Sequence, residues 1–179
     1  MAFDILNKPT LSRIPNTTKR LLDIGCGVGW LGREIKQRIN CNIVGVTISE
    51  AEAAEASKYL DEVIIADLNE LDTSGLGKFD CILCCHVLEH LYWPENLLRR
   101  LRNNLTTEGL LVVALPNILF FKHRLAFLRG RFRYVDYTAI DIHHFRFFDW
   151  QSARALLEES GYKVIESVGD GYFPLPHIR

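Results

Sequence analysis

Apolar positions along this chain fall into two alternating kinds of segment. Short continuous runs at Arg20–Ile24, Asn42–Thr47, Glu62–Ala66, Phe79–Cys85, Leu110–Leu115 and Lys163–Val168 read as strands. Between them, Leu31–Ile39, Glu50–Tyr59, Pro94–Leu105 and Trp150–Ser160 place apolar residues at helical spacing. Pro94 suits a first helical turn, and Gly109 and Gly161 stand where glycines end helices. Strands alternating with helices predict an α/β fold: a doubly wound, mostly parallel, Rossmann-like sheet with helices on both faces. The run Cys81-Ile82-Leu83-Cys84-Cys85 is apolar on both of its faces, as a central parallel strand must be. Nothing after residue 168 reads as a further, antiparallel strand.

One region breaks the alternation. Residues 118–148 are rich in cations and aromatics, among them Phe120, Lys122, Arg124, Phe127, Arg131, Phe132 and Arg133. We read this as an insertion within a single domain spanning 1–179. Three roles are open to it: a lid over an acceptor pocket, a surface that grips an anionic group, or an amphipathic helix packed on the sheet with its arginines in solvent.

Composition narrows the classes. A chain of 179 residues holds one domain with a full core. Its 21 basic and 22 acidic residues leave a net charge of −1, which argues against a nucleic-acid substrate. An apolar fraction of 48% excludes disorder, and no apolar run approaches the ~20 residues of a membrane span. The opening stretch carries Asp4, Lys8 and two prolines, unlike a signal peptide. Five cysteines, an odd number, fit reduced thiols and a cytoplasmic location. Cys81-x-x-Cys84 lacks the second ligand pair of a zinc site, and no sequence pattern demands a metal.

The candidate chemistry begins at Leu21-Leu22-Asp23-Ile24-Gly25-Cys26-Gly27-Val28-Gly29-Trp30, where a strand turns through three glycines into a helix. Glycines let a ligand approach the turn closely, and a helix N-terminus favours an anionic group. Asp23 adds a fixed anion suited to an ammonium. A ligand with a carboxylate, an ammonium and a ribose, such as S-adenosylmethionine, suits these features. Gly27-Val28-Gly29-Trp30-Leu31-Gly32 also satisfies the dinucleotide fingerprint, with Glu50 eighteen residues beyond Gly32. A doubly anionic pyrophosphate, however, would be repelled by Asp23. In a sheet of this kind ligands bind beyond the carboxyl ends of the strands, where the chain places Asp23, Thr47, Asp67, His86 and Asn117.

These motifs, with Ala66-Asp67-Leu68, His86-Val87-Leu88-Glu89-His90-Leu91, Pro116-Asn117 and His144-Phe145-Arg146-Phe147-Phe148, resemble the class I S-adenosylmethionine-dependent methyltransferases over most of the chain. The resemblance implies that Gly25, Cys26 and Gly27 line the methionine moiety, with Asp23 at its ammonium. It implies that Asp67 accepts from the adenine amine, that Ile48 and Leu68 sandwich the ring, and that His86 stands near the methionine tail or the methyl group. Such enzymes commonly end the second strand in an acid bonded to the ribose. Here the turn is Thr47-Ile48-Ser49, as in the cyclopropane-fatty-acid type, and Thr47 with Glu52 takes that place.

The expected activity is methyl transfer to a small-molecule or lipid-linked acceptor with some anionic character. His90 and His144 are the candidates for handling its proton. The alternatives are a cofactor-binding or regulatory protein that has lost catalysis, and a nicotinamide-dependent oxidoreductase.

Overall fold

The computed structural model describes residues 8–169. Five strands, β1 (Arg20–Ile24), β2 (Asn42–Thr47), β3 (Glu62–Ile65), β4 (Phe79–Cys85) and β5 (Leu105–Ala114), form one parallel sheet in the order β3-β2-β1-β4-β5. The order reverses between β1 and β4, and that switch point is where a crevice opens above a doubly wound sheet. Helices α1 (Lys8–Arg13), α2 (Trp30–Arg38), α3 (Glu50–Ala56), α4 (Pro94–Arg102), α5 (Phe121–Leu128) and α6 (Trp150–Glu159) complete the fold.

Side-chain alternation on the strands builds two cores. Leu22, Ile24, Val44, Val46, Ile82 and Cys84 point to one face and meet Leu97, Leu98 and Leu101 of α4. Leu21, Ile43, Cys81 and Leu83 point to the other and meet Leu11, Ile14 and Ile35 from the α1 and α2 side. Asp23 follows the parity of Leu21, so its carboxylate lies on the α1/α2 side, between Gly45 of β2 and Leu83 of β4. All five cysteines are free thiols, and Cys81 and Cys84 are wholly buried as strand core.

Two expectations need correction. Strand β5 begins at Leu105 rather than Leu110, and Gly109 does not end a helix. It lies beside an irregularity in the β4–β5 ladder, where a Cβ on it would stand 3.0 Å from the Phe79 carbonyl oxygen. Among the described residues Lys163–Val168 does not pair as a sixth strand. Ile165 remains 72% exposed there, and Glu166 turns instead to Arg13 of α1 in a 2.8 Å ion pair. The 118–148 region contributes a helix, α5, in which no residue is fully buried and Phe121, His123, Ala126 and Phe127 are half-buried, so its three possible roles stay open. Gly161 does end α6, at φ 90°. The stretch beyond residue 169 lies outside the described residues.

Candidate active site

The glycine turn is fixed from below. Gly25 and Cys26 both donate their N–H groups to the Val46 carbonyl at 2.9 Å, tying the turn to the end of β2. Gly25, Gly27 and Gly29 all have positive φ. At Gly29 a Cβ would stand 3.0 Å from the Ala56 Cα, so glycine there lets α3 approach. At Gly27 a Cβ would meet nothing within 4 Å: the turn faces open space, and the N–H groups of Gly27 and Val28 have no protein acceptor among the described residues. Cys26, expected among the cofactor contacts, turns its side chain away from the open face of the turn. Its side chain is buried in the α1/α2 core and its thiol is pushed up to about 12, chiefly by burial. Only its backbone belongs to the turn.

Asp23 is 2% exposed and, among the described residues, its Oδ2 has no hydrogen-bond partner. Burial raises its carboxyl from 3.8 to about 7. A carboxylate held this way is poorly compensated by the protein and well matched to a cation arriving from the turn. This orphaned oxygen below an open glycine turn fits the ammonium-bearing end of S-adenosylmethionine.

The ribose and adenine candidates line the adjoining rim. Thr47 donates its hydroxyl to Glu52 Oε2 at 2.6 Å, so the residues expected to share the ribose site are brought together. Ser49 caps α3 by accepting from the Glu52 N–H, which explains the Thr-x-Ser turn locally. Asp67 is exposed; its Oδ1 accepts from the Asn69 N–H at 2.8 Å and from the Asn69 amide at 3.0 Å, and no protein hydrogen bond is given to Oδ2. Ile48 stands 68% exposed. Leu68 also turns inward: its side chain is buried in the α4-side core and does not offer an open face to a ring.

The acceptor end is built by β4 and the return of the insertion. His86 ends β4 at φ 53°, exposed on the rim, with its Nδ1 3.6 Å from Glu89 Oε1. A short 3-10 turn, Leu88–His90, follows. The Glu89 carbonyl accepts from the N–H groups of Phe145 and Arg146 at 2.9 and 3.1 Å, which bolts the insertion to this turn. His90 and His144 are thereby brought together, with ring centroids 4.7 Å apart. Both line a cleft of about 110 Å³ shared with His86, Glu89, Pro116 and Tyr137. Buried Asp141 holds the loop's shape by accepting from the N–H groups of Tyr137 and His143, which lower its pKa. The residue missed by sequence reasoning is Glu89, 1% exposed with an unpartnered Oε2. Its only signal is an acid set between the apolar Leu88 and Leu91 side chains' neighbours, in Leu88-Glu89-His90-Leu91.

The insertion itself lies open. No residue from 121 to 139 is buried, and Leu128 is 85% exposed. Lys122, Arg124, Arg129, Arg131 and Arg133 stand in it without an acid between residues 121 and 135. No described helix is long and apolar enough to cross a membrane.

Known proteins share this architecture. The family model described as a methyltransferase domain matches residues 4–167. The ubiquinone biosynthesis O-methyltransferase of Caulobacter sp. strain K31 is 34% identical over 111 residues, which cover 59% of this chain and 44% of that protein. The protein of the same name from Pseudomonas aeruginosa strain UCBPP-PA14 is 27% identical over 164 residues, 88% of this chain and 70% of its own. This chain therefore spans less than half the length of the first of these relatives. Among solved structures, a Thermotoga maritima S-adenosylmethionine-dependent methyltransferase, described as a possible histamine N-methyltransferase, aligns with a TM-score of 0.65 at 21% identity, over 87% of this chain and 68% of that one. The plantazolicin methyltransferase in complex with S-adenosylhomocysteine aligns with a TM-score of 0.52 at 24% identity, over 63% and 42%. At those identities the likeness is one of fold. With the family model covering nearly all of the described residues, the chain belongs to the methyltransferase-domain family.

Proposed function

We propose that this chain transfers a methyl group from S-adenosylmethionine to an oxygen of a small, lipid-linked acceptor that carries or lies beside negative charge. The observation that carries the cofactor reading is the buried, unpartnered Asp23 oxygen under the open Gly27 turn. The oxygen acceptor is supported by the names of the Caulobacter and Pseudomonas relatives. Its lipid-linked and anionic character is supported by the five cations and exposed apolar side chains of the insertion beside the cleft. The free cysteines suit a reducing compartment, the cytoplasm.

The cofactor supplies an electrophilic methyl carbon on a sulfonium. Asp23, ionised, binds the ammonium, and the Gly25–Gly29 turn receives the carboxylate end through its free N–H groups. Thr47 and Glu52 hold the ribose hydroxyls, Asp67 Oδ2 accepts from the adenine amine, and Ile48 covers one face of the ring. His86 stands on the rim between the cofactor turn and the cleft. His90 and His144 meet the acceptor hydroxyl and assist the loss of its proton, while the insertion limits water at the reacting centre.

Calorimetric titration with S-adenosylmethionine, S-adenosylhomocysteine and NAD tests the reading. Micromolar binding of both adenosyl ligands and none of NAD is expected. Binding of NAD alone would overturn it, since Asp23 and the Thr47–Glu52 pair would then be misread.

A further inference from the structure

We infer that Glu89, His90 and His144 form a binding site for a divalent transition ion of the zinc kind, with an open position facing the cleft. One ligating atom from each of the three lies within 4.8 Å of the others. Tetrahedral coordination at bonds of 2.0–2.2 Å needs such atoms about 3.4 Å apart, so side-chain adjustments of about 1 Å close the set.

Three further observations point to a cation. Glu89 is 1% exposed and, among the described residues, its Oε2 has no hydrogen-bond partner, so an acceptor oxygen is buried there unsatisfied. Its other oxygen faces His86 at 3.6 Å, which leaves Oε2 for the ion. The two imidazoles are also prepared as ligands. His90 Nδ1 lies 3.0 Å from the His143 carbonyl oxygen, and His144 Nδ1 lies 3.4 Å from that of Ala139. A carbonyl only accepts, so Nδ1 is the donor in each of these contacts and Nε2 is the ring nitrogen left to face an ion. Backbone carbonyls on the far nitrogen are how proteins commonly orient metal-binding histidines.

Two imidazoles and one carboxylate make a mixed nitrogen and oxygen set. That set suits zinc and its neighbours rather than magnesium, which prefers oxygen ligands throughout. Three protein ligands leave a fourth position, as in catalytic rather than structural zinc sites. Here that position opens on the cleft lined by Pro116 and Tyr137, where it would hold an acceptor oxygen. The inference rests on the proposed function and refines its acceptor end: the acceptor oxygen would meet the ion that His90 and His144 hold rather than the imidazoles themselves. The ion also ties the insertion, through His144, to the turn after β4.

The test is calorimetric titration of the chelator-stripped full chain with zinc, in the absence of any adenosyl ligand. One equivalent should bind to the wild type. Glu89→Gln and His144→Gln should each weaken binding by more than about 100-fold, because even an outer-shell partner is worth ~10–100-fold. His123→Gln, on α5 away from the cluster, should leave it unchanged. Circular dichroism and melting without zinc establish that the variants fold. If Glu89→Gln does not, His144→Gln on the half-buried loop still decides. No zinc binding to the wild type, or binding that survives both substitutions at full affinity, overturns the inference. Because no methyl donor is present, that result leaves the methyl-transfer reading standing, and failure to bind S-adenosylmethionine would leave this one standing.

Discussion

Replacing Asp23 by asparagine keeps the shape of the side chain and removes its ionisation. In the wild type, burial moves that ionisation from 3.8 to about 7. Between those values the unfolded chain has released the proton while the folded chain still binds it. Folding stability therefore falls as pH rises through that window and levels off above about 7. The full displacement corresponds to about 4 kcal/mol. Asp23→Asn should match the wild type near pH 4 and exceed it by up to about 4 kcal/mol at pH 8, in the absence of ligand. Urea unfolding of both proteins from pH 4 to 8 measures this directly, and the difference between them cancels every other titrating group. Ligand binding should move the opposite way. The ammonium of S-adenosylmethionine requires the carboxylate, so wild-type affinity should climb with pH to about 7 and then level. The variant should bind about 30-fold or more weakly at pH 8, since removing one partner of a buried charge pair costs about 2–5 kcal/mol. A stability difference that does not change with pH, or an affinity unaffected by the substitution, would refute the reasoning.

Asp67→Ala should weaken S-adenosylmethionine binding by about 1–3 kcal/mol in calorimetry while leaving the melting temperature nearly unchanged, because the residue is exposed. Gly29→Ala should destabilise the fold by about 1–3 kcal/mol in urea unfolding, from its φ of 82° and the 3.0 Å approach of Ala56 Cα. Leu98→Ala, at a side chain with no exposure between sheet and α4, should cost about 2–5 kcal/mol by the same assay. Arg131→Glu with Arg133→Glu should abolish co-sedimentation with vesicles containing anionic lipid and leave cofactor affinity unchanged; equal sedimentation of wild type and variant would remove the support for a lipid-linked acceptor.

Strands β1, β2 and β4 were legible to the residue because buried parallel strands are continuous apolar runs with polar ends. The same locality places Thr47 and His86 at strand ends, with Asp23 one residue inside the end of β1 and Asp67 two residues beyond β3. Leu105–Glu108 was hidden because Gly109 reads as a helix stop, while only pairing with β4 reveals the ladder irregularity. Lys163–Val168 shows the converse: a strand-like run gains a ladder only if a neighbour accepts it. Leu68 and Cys26 were placed correctly along the chain but turned inward, which spacing near a turn does not decide. The acceptor end was legible only in pieces. His90 and His144 stood out as titratable groups, but what joins them is the pair of hydrogen bonds from Phe145 and Arg146 to the Glu89 carbonyl across more than fifty residues. No local pattern encodes that closure.

The open state of residues 121–135 has a consequence for how this scaffold can change. Around the glycine turn, substitutions meet two demands at once: Gly29 serves both the turn and the approach of α3, and Thr47 both ends a strand and bonds Glu52. Between residues 121 and 135 no side chain is fixed by burial, so a new sequence or a different length there leaves both cores untouched. Acceptor preference can therefore drift, or be redesigned, by exchanging residues 121–135 alone, while Asp141, His144 and the hydrogen bonds from Phe145 and Arg146 to Glu89 keep the return of the segment in place.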